Sequence, residues 1–476
     1  MKSDFDLNLK KITAFAVGPL TSMLLGMVVV PVIAWAFRPE DVGRLALFQL
    51  ALSLTLLFFT LGLDQAYIRE FHESNDKYRL LKATFLPGFS LLLIAVFFAA
   101  WFSVPLSIWI FGEYDPLYGW LSLFCILSTY VSRYLSLILR MEERGLAFSL
   151  SQIIPKALQL VLLLGTILLG GPKTFSTLLV VWGIANFAVV LAYAWNTRQQ
   201  WLLASGAALK VAEIRLLLKF GVPLMFSGLA YWGLTATSSL VLRSRSSFDE
   251  LAIFSVVNSF ASAASVFQVV FSIIWAPTVY RWVANGIEEA RLDAIRRQGL
   301  AVACAIFILI GSFSWFVDYL LPEHYLNVKN LLLCAAIPPL LYVLADVTSI
   351  GVNITRRTGL TMGVTLAAFL LNMLLNLWLV PKHGAAGAVM ANAIAYLIYF
   401  IGRTEAAAYV WCQFPRKKIY MFVGIGLIMA LIAASGGHKF SAHYSLTMLI
   451  LVPVLAWSFR VEWTEILAAA KLTKAS

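Results

Sequence analysis

Long apolar runs alternate with short charged breaks along nearly the whole chain. Each run is near the roughly 20 residues that a helix needs to cross hydrocarbon. Fourteen spans are predicted, at 12–37, 45–63, 83–111, 117–139, 146–169, 175–196, 220–242, 250–274, 299–317, 330–352, 359–380, 385–402, 419–436 and 445–459. The last two are short and interrupted by Gly436, Gly437 and His438. A membrane barrel would show shorter segments of alternating polarity, so the fold class is all-α and polytopic. The first span follows Lys10 and Lys11 as a signal peptide would, yet its 26 uncharged residues exceed a usual signal core and no small-residue cleavage site follows. It is expected to be retained.

Composition agrees. The chain is 61% hydrophobic and 13% charged, against about 45–50% and 25% in soluble domains. The net charge of +12 is explained by topology. With fourteen spans, 26 Lys and Arg fall in the loops and tails on the side of the termini and 8 on the other. The excess places both termini in the cytoplasm and leaves no need for a nucleic-acid partner. In this count Arg403 belongs to an inner loop, and Arg133 and Lys156 lie inside spans. Four single cysteines, Cys125, Cys304, Cys334 and Cys412, fit neither a metal site nor a disulfide framework.

Weak self-similarity organises the runs. "VGPL" (17–20) and "GVPL" (221–224) open spans 1 and 7, and "LALF" (45–48) and "LAIF" (251–254) lie in spans 2 and 8. "ERGL" (143–146) pairs with "RTGL" (357–360), and "IAN" (184–186) with "MAN" (390–392). Four pairs in one order indicate a six-helix unit used twice. An even number of helices gives both copies the same orientation, a transporter architecture with its site near the midplane. The expected organisation is a six-helix lobe at 1–200, a linker at 201–219, a second six-helix lobe at 220–403, and two further helices with a cytoplasmic tail at 404–476. The linker sequence "LKVAEIRLLLKF" suits a short interfacial helix.

Polar residues inside the spans form stripes. Ser149, Gln152, Lys156 and Gln159 share one face of span 5. Lys156 lies 11 residues from Gly145, roughly 16 Å along the helix, and Pro155 permits a bend beside it. Span 4 carries Thr129, Ser132, Arg133, Ser136 and Arg140. The second half has Ser255, Asn258, Ser262, Ser265 and Gln268 on span 8, Tyr342, Asp346, Ser349 and Asn353 on span 10, and Asn372 and Asn376 on span 11. Intramembrane charges usually face a cavity. Arg133 is also placed to snorkel, and the serines and asparagines also suit interhelical bonding. Asp346 fits either a basic partner or a coupling ion. Lysine and arginine lined by hydroxyls and amides suit a phosphorylated, sugar-bearing anion, with Gln152, Gln159 and Asn258 for sugar hydroxyls. No nucleophile–base pair or metal constellation occurs among the scattered His324, His383, His438 and His443, so no catalytic residue is assigned.

"RPEDVGRLALFQLALSL" (38–54), "GLDQAYIREF" (62–71), "IIWAPTVYRW" (273–282) and "PKHGAAGAVMAN" (381–392) resemble segments of a known family. Together they look like the polysaccharide transporter family, the O-antigen and exopolysaccharide flippases of the multidrug/oligosaccharidyl-lipid/polysaccharide superfamily. The resemblance implies a MATE-like fold in a bacterial inner membrane. It implies an undecaprenyl-diphosphate-linked oligosaccharide as substrate, moved to the periplasmic leaflet by alternating access. It further implies membrane lipids as surroundings, and a polysaccharide polymerase and chain-length regulator as partners. No cofactor is implied beyond H+ or Na+ as candidate coupling ions. Carried over, Lys156 and Arg133 would form the cationic first-lobe cavity, with Asp64 and Arg69 at the inner end of span 2. Asp64 and Asp346 are the coupling candidates, and an Asp64–Arg69 pair is the alternative. A cation-coupled drug antiporter of the same fold is the competing reading. It expects a membrane carboxylate early in the first lobe, where span 1 carries no charge.

Overall fold

A computed structural model describes residues 2–71, 73–101, 107–108, 110–284, 289–355, 357–436 and 441–465. The tail 466–476, the interruption at Gly437 and His438, and residues 102–106 of the third predicted span lie outside the described residues.

The described residues are mostly helical. The helices are α1 (Lys2–Ala36), α2 (Pro39–Phe59), α3 (Leu63–Glu70), α4 (Lys77–Trp101), α5 (Pro116–Met141), α6 (Gly145–Leu168), α7 (Phe175–Asn196), α8 (Arg198–Gly206) and α9 (Val211–Arg245). They continue as α10 (Phe248–Ala284), α11 (Glu289–Ser312), α12 (Val317–Leu320), α13 (Val328–Ile354), α14 (Thr358–Val410), α15 (Lys417–Ser435) and α16 (Ser441–Ser458). Among the described residues, eleven helices are long and apolar enough to cross a membrane, and one of these covers Gly359–Val410. That element is two helices joined at Gly384, where φ is 53° and ψ −129°. The break falls between the predicted spans 359–380 and 385–402. Each of the fourteen predicted spans overlaps a helix among the described residues.

Local chemistry sets several boundaries. Pro39 opens α2, with Glu40 and Asp41 in its first turn where the helix dipole favours negative charge. Asp115 caps α5 by accepting a 2.8 Å hydrogen bond from the Leu117 amide, and Pro116 supplies the first helical residue. The linker differs from expectation. The charged stretch 210–219 is not a separate interfacial helix, because α9 runs unbroken from Val211 through Pro223 to Arg245. The separate short helix is α8. Its end is fixed by Lys82, whose ammonium donates to the carbonyls of Ser205 and Ala207 at 2.7 and 2.8 Å, as cations do at helix C-termini.

The chain divides into two compact units, 1–233 and 234–476, with the division inside α9. In unit 1, α3, α4 and α5 share a core of Leu63, Tyr67, Leu80, Tyr130 and Tyr134. The two tyrosine hydroxyls are satisfied, Tyr130 donating to the Phe85 carbonyl and Tyr134 to that of Thr84, both at 2.9 Å. In unit 2, α13 is the central helix and packs against α10, α11, α14 and α15. Its mid-section carries Ala336, Val343, Ala345 and Val347, all nearly inaccessible.

Candidate functional site

Helix α6 packs along α1, and the contact uses one residue of the lysine's stripe. The Gly18 amide lies 3.1 Å from the Ser149 hydroxyl and donates to it. Further along, Gln159 is buried, whereas Gln152 and Lys156 are half-buried. Lys156 makes no hydrogen bond or ion pair among the described residues. It is therefore a cation placed mid-helix in an apolar segment, without a counter-charge among the described residues.

Arg133, on the adjacent α5, is differently placed. Its Nη2 and Nε both approach Oδ2 of Asp64, at 2.7 and 3.3 Å. The Arg133 side chain is 35% exposed and that of Asp64 9%. Asp64 therefore pairs across the fold with Arg133 and not with Arg69. The geometry of α3 explains this. Leu61 and Gly62 have φ of 52° and 67°, which ends α2 and starts α3 in a new direction. Asp64 then faces the core while Arg69 lies one and a half turns away. Arg69 stacks on the Phe220 ring at 4.4 Å and reaches Glu70 at 3.6 Å. "GLDQAYIREF", predicted as the end of span 2, is thus mainly a helix of its own. Burial pushes the Tyr67 hydroxyl on this helix above the ordinary phenol range, with the Glu142 charge adding to the effect, so it stays protonated.

Unit 2 contains a second acid–base pair. Arg403 donates to Oδ1 of Asp346 at 3.1 Å and to the Tyr399 hydroxyl at 2.8 Å. Its side chain is 8% exposed, and Tyr342 stacks on Tyr399 with ring centroids 6.0 Å apart. Arg403 is therefore an interior residue and not part of a loop. Its position inside α14, seven residues before the C-terminal end, corrects the count made from the sequence.

Among the asparagines of unit 2, Asn372 is an interhelical tie. Asn372 donates to the Leu234 carbonyl at 2.7 Å and to Asn392 at 3.0 Å, and Asn376 donates back to Asn372. Asn258 bonds the Phe254 carbonyl of its own helix at 2.8 Å. Asn258 belongs to unit 2, whereas Lys156 and Arg133 belong to unit 1. Glu250 is a residue that the sequence reading missed. Its carboxylate accepts from the Ala385 amide at 2.7 Å and so caps the helix that restarts after Gly384. The signal was available in "PKHGAAG", where a glycine between two apolar runs requires a partner for the freed amide.

An apolar groove with about 890 Å³ of open space runs between α11, α13, α15 and α16, lined by residues such as Leu300, Phe307, Leu344, Phe422 and Leu451. Among the described residues no group of three His, Cys, Asp or Glu could hold a metal ion.

The fold is shared with known proteins. The lipid II flippase MurJ in an inward closed conformation superposes with a TM-score of 0.68 at 14% identity, over 95% of this chain and 99% of that one. An inward-facing multidrug resistance MATE family transporter of the MOP superfamily gives 0.58 at 14% identity, over 83% and 96%. A MATE transporter of Vibrio cholerae gives 0.56 at 15% identity, over 86% and 98%. At such identities the likeness shows the fold. No curated protein matches the sequence. The model of the family described as polysaccharide biosynthesis protein matches residues 8–281, more than half of the chain, and the chain belongs to that family.

Proposed function

We propose that this chain is a flippase for a lipid-linked oligosaccharide, carrying an undecaprenyl-diphosphate-linked repeat unit from the cytoplasmic to the periplasmic leaflet. The repeat unit would feed O-antigen or exopolysaccharide assembly, with the inner membrane as the site and both termini in the cytoplasm. A polymerase and a chain-length regulator would take the product. Lys156 carries the reading. A half-buried lysine without a protein partner, in the middle of an apolar helix, is costly unless an anion visits it. The diphosphate is such an anion. It cannot cross hydrocarbon unaided, whereas the polyprenyl tail can stay in lipid.

Alternating exposure of the site to the two sides of the membrane would complete the cycle, and a bend at Pro155 would allow Lys156 to take part in it. The drug-antiporter reading needs a carboxylate free to meet a cation. In unit 1 the buried Asp41 is bonded to Arg44 at 2.9 Å and Asp64 to Arg133, which favours an anionic substrate. H+ or Na+ coupling, if it operates through Asp64 or Asp346, must first break an arginine pair.

The test is Lys156→Ala in cells and in proteoliposomes. Surface polysaccharide and flipping of a labelled polyprenyl-diphosphate sugar should be lost at normal protein abundance, while Lys156→Arg keeps part of both. Normal export by a normally inserted Lys156→Ala protein would show that the lysine is structural.

A further inference from the structure

Arg133 uses only half of its guanidinium. Nη2 and Nε converge on one oxygen of Asp64, and Nη1 has no partner among the described residues. A bidentate carboxylate pair would engage two nitrogens with two oxygens. The observed pair leaves one edge of the guanidinium for another anion, and the arginine is the more exposed member.

Asp64 cannot follow if Arg133 moves. Helix α3 is held at both ends by α9, through Gly62 against the Gly221 backbone and through Arg69 over Phe220. A Cβ at Gly62 would lie 2.1 Å from the Gly221 carbonyl oxygen, so there is no slack at that end. Leu63 and Tyr67, on either side of Asp64, are in the core. The carboxylate is fixed and the long arginine arm is the mobile partner.

From this geometry we infer that Asp64 is an internal competitor for the substrate's phosphate. It holds Arg133 ready in the absence of substrate and limits how tightly the arginine grips a phosphate oxygen when substrate is present. An apparent affinity falls in proportion to the fraction of time the binding group is free. A resident carboxylate therefore weakens binding and speeds release, which a transporter requires at the end of each cycle. Asp64 is a positioning residue in this scheme, acting through Arg133. The inference rests on the diphosphate-substrate reading above.

Inorganic pyrophosphate is the probe, titrated into the full-length protein in nanodiscs, alongside flipping of a labelled polyprenyl diphosphate. Asp64→Asn should bind pyrophosphate about tenfold tighter if Arg133 is free roughly a tenth of the time in the parent. In flipping it should lower KM and kcat together, because release becomes slow. Asp64→Glu keeps the competing charge and should stay near the parent in both. Unchanged or weaker pyrophosphate binding by Asp64→Asn overturns the inference, as does equal tightening by Asp64→Glu, which would mean loosened packing. Should Asp64→Asn fail to accumulate, Gln65→Cys gives the second readout. Gln65 is exposed and its amide touches the same Asp64 oxygen at 3.2 Å. Pyrophosphate should raise the maleimide labelling rate there, and an unchanged rate at saturation overturns the inference. A parent protein that binds no pyrophosphate counts against the diphosphate reading itself, and with it this one.

Discussion

Among the described residues each unit holds one aspartate–arginine pair between residues distant in the sequence, Asp64–Arg133 and Asp346–Arg403. Arg133 of unit 1 lies on α5 and Asp346 of unit 2 on α13, so the fourth predicted span carries the cation of its pair and the tenth carries the anion. Their surroundings differ as well. Arg133 is a third exposed and bonded to a single oxygen. Arg403 is almost inaccessible, and a tyrosine hydroxyl shares it with Asp346. The same two residue types thus serve two ends. In unit 1 the pair presents a cation, and in unit 2 it closes a tyrosine-lined interior. The environment decides what each charge does.

The largest effect should come from removing the carboxylate in the closed pair. Asp346→Ala leaves Arg403 buried with only Tyr399 as a neutral partner, and breaking such a pair costs about 3–5 kcal/mol. Asp64→Ala leaves Arg133 free to turn outward, at a cost nearer about 1 kcal/mol. Thermal unfolding of the two variants in one detergent measures the contrast. Replacing both members with Asp346→Ala and Arg403→Met should recover much of the loss in unit 2, since no charge is left unpaired. Equal destabilisation by Asp64→Ala and Asp346→Ala would erase the distinction between an open and a closed pair.

A smaller difference separates two of the glycines with positive φ, Gly62 and Gly384. At Gly384 an alanine is strained by about 1–3 kcal/mol, and its Cβ would meet the Glu250 carboxylate at 2.3 Å. That carboxylate is the end of a flexible side chain and can swing away, although the Ala385 amide then loses its cap. At Gly62 the obstacle is the backbone of Gly221, which cannot move without shifting α9. Gly62→Ala should therefore lower the unfolding temperature more than Gly384→Ala. The reverse order would show that α3 is not held against α9 as described.

The helices were legible in the sequence because an apolar run near 20 residues has few other uses, and even the break at Gly384 followed from composition. The ion pairs were not legible. Asp64 and Arg133 are 69 positions apart, and they meet because Leu61 and Gly62 turn α3 by a pair of positive φ angles that no apolar pattern encodes. Arg403 looked like a loop residue because it stands near the end of an apolar run. In the fold that run continues as helix to Val410 and carries the guanidinium inward. Lys156 was the converse case. A lone lysine far from either end of a span has no route to water along its own helix, so its oddity could be read directly. Its stripe was legible only in part, because periodicity shows which residues share a face and not what each one touches.

Ser149 makes the last and smallest test. By spacing it belongs to the lysine's stripe, yet its hydroxyl is spent on the Gly18 amide of α1. An interhelical hydrogen bond in a membrane averages about 0.6 kcal/mol, so Ser149→Ala should lower stability by about that much. It should leave flipping of a labelled polyprenyl diphosphate unchanged, where Lys156→Ala abolishes it. The two residues lie seven positions apart on one helix, close enough for a general distortion of α6 to affect both. If Ser149→Ala lost transport at unchanged stability, the whole stripe would face the substrate and the tie to α1 would be incidental. A small stability loss with full transport instead divides the stripe into a part that binds α1 and a part that meets the anion.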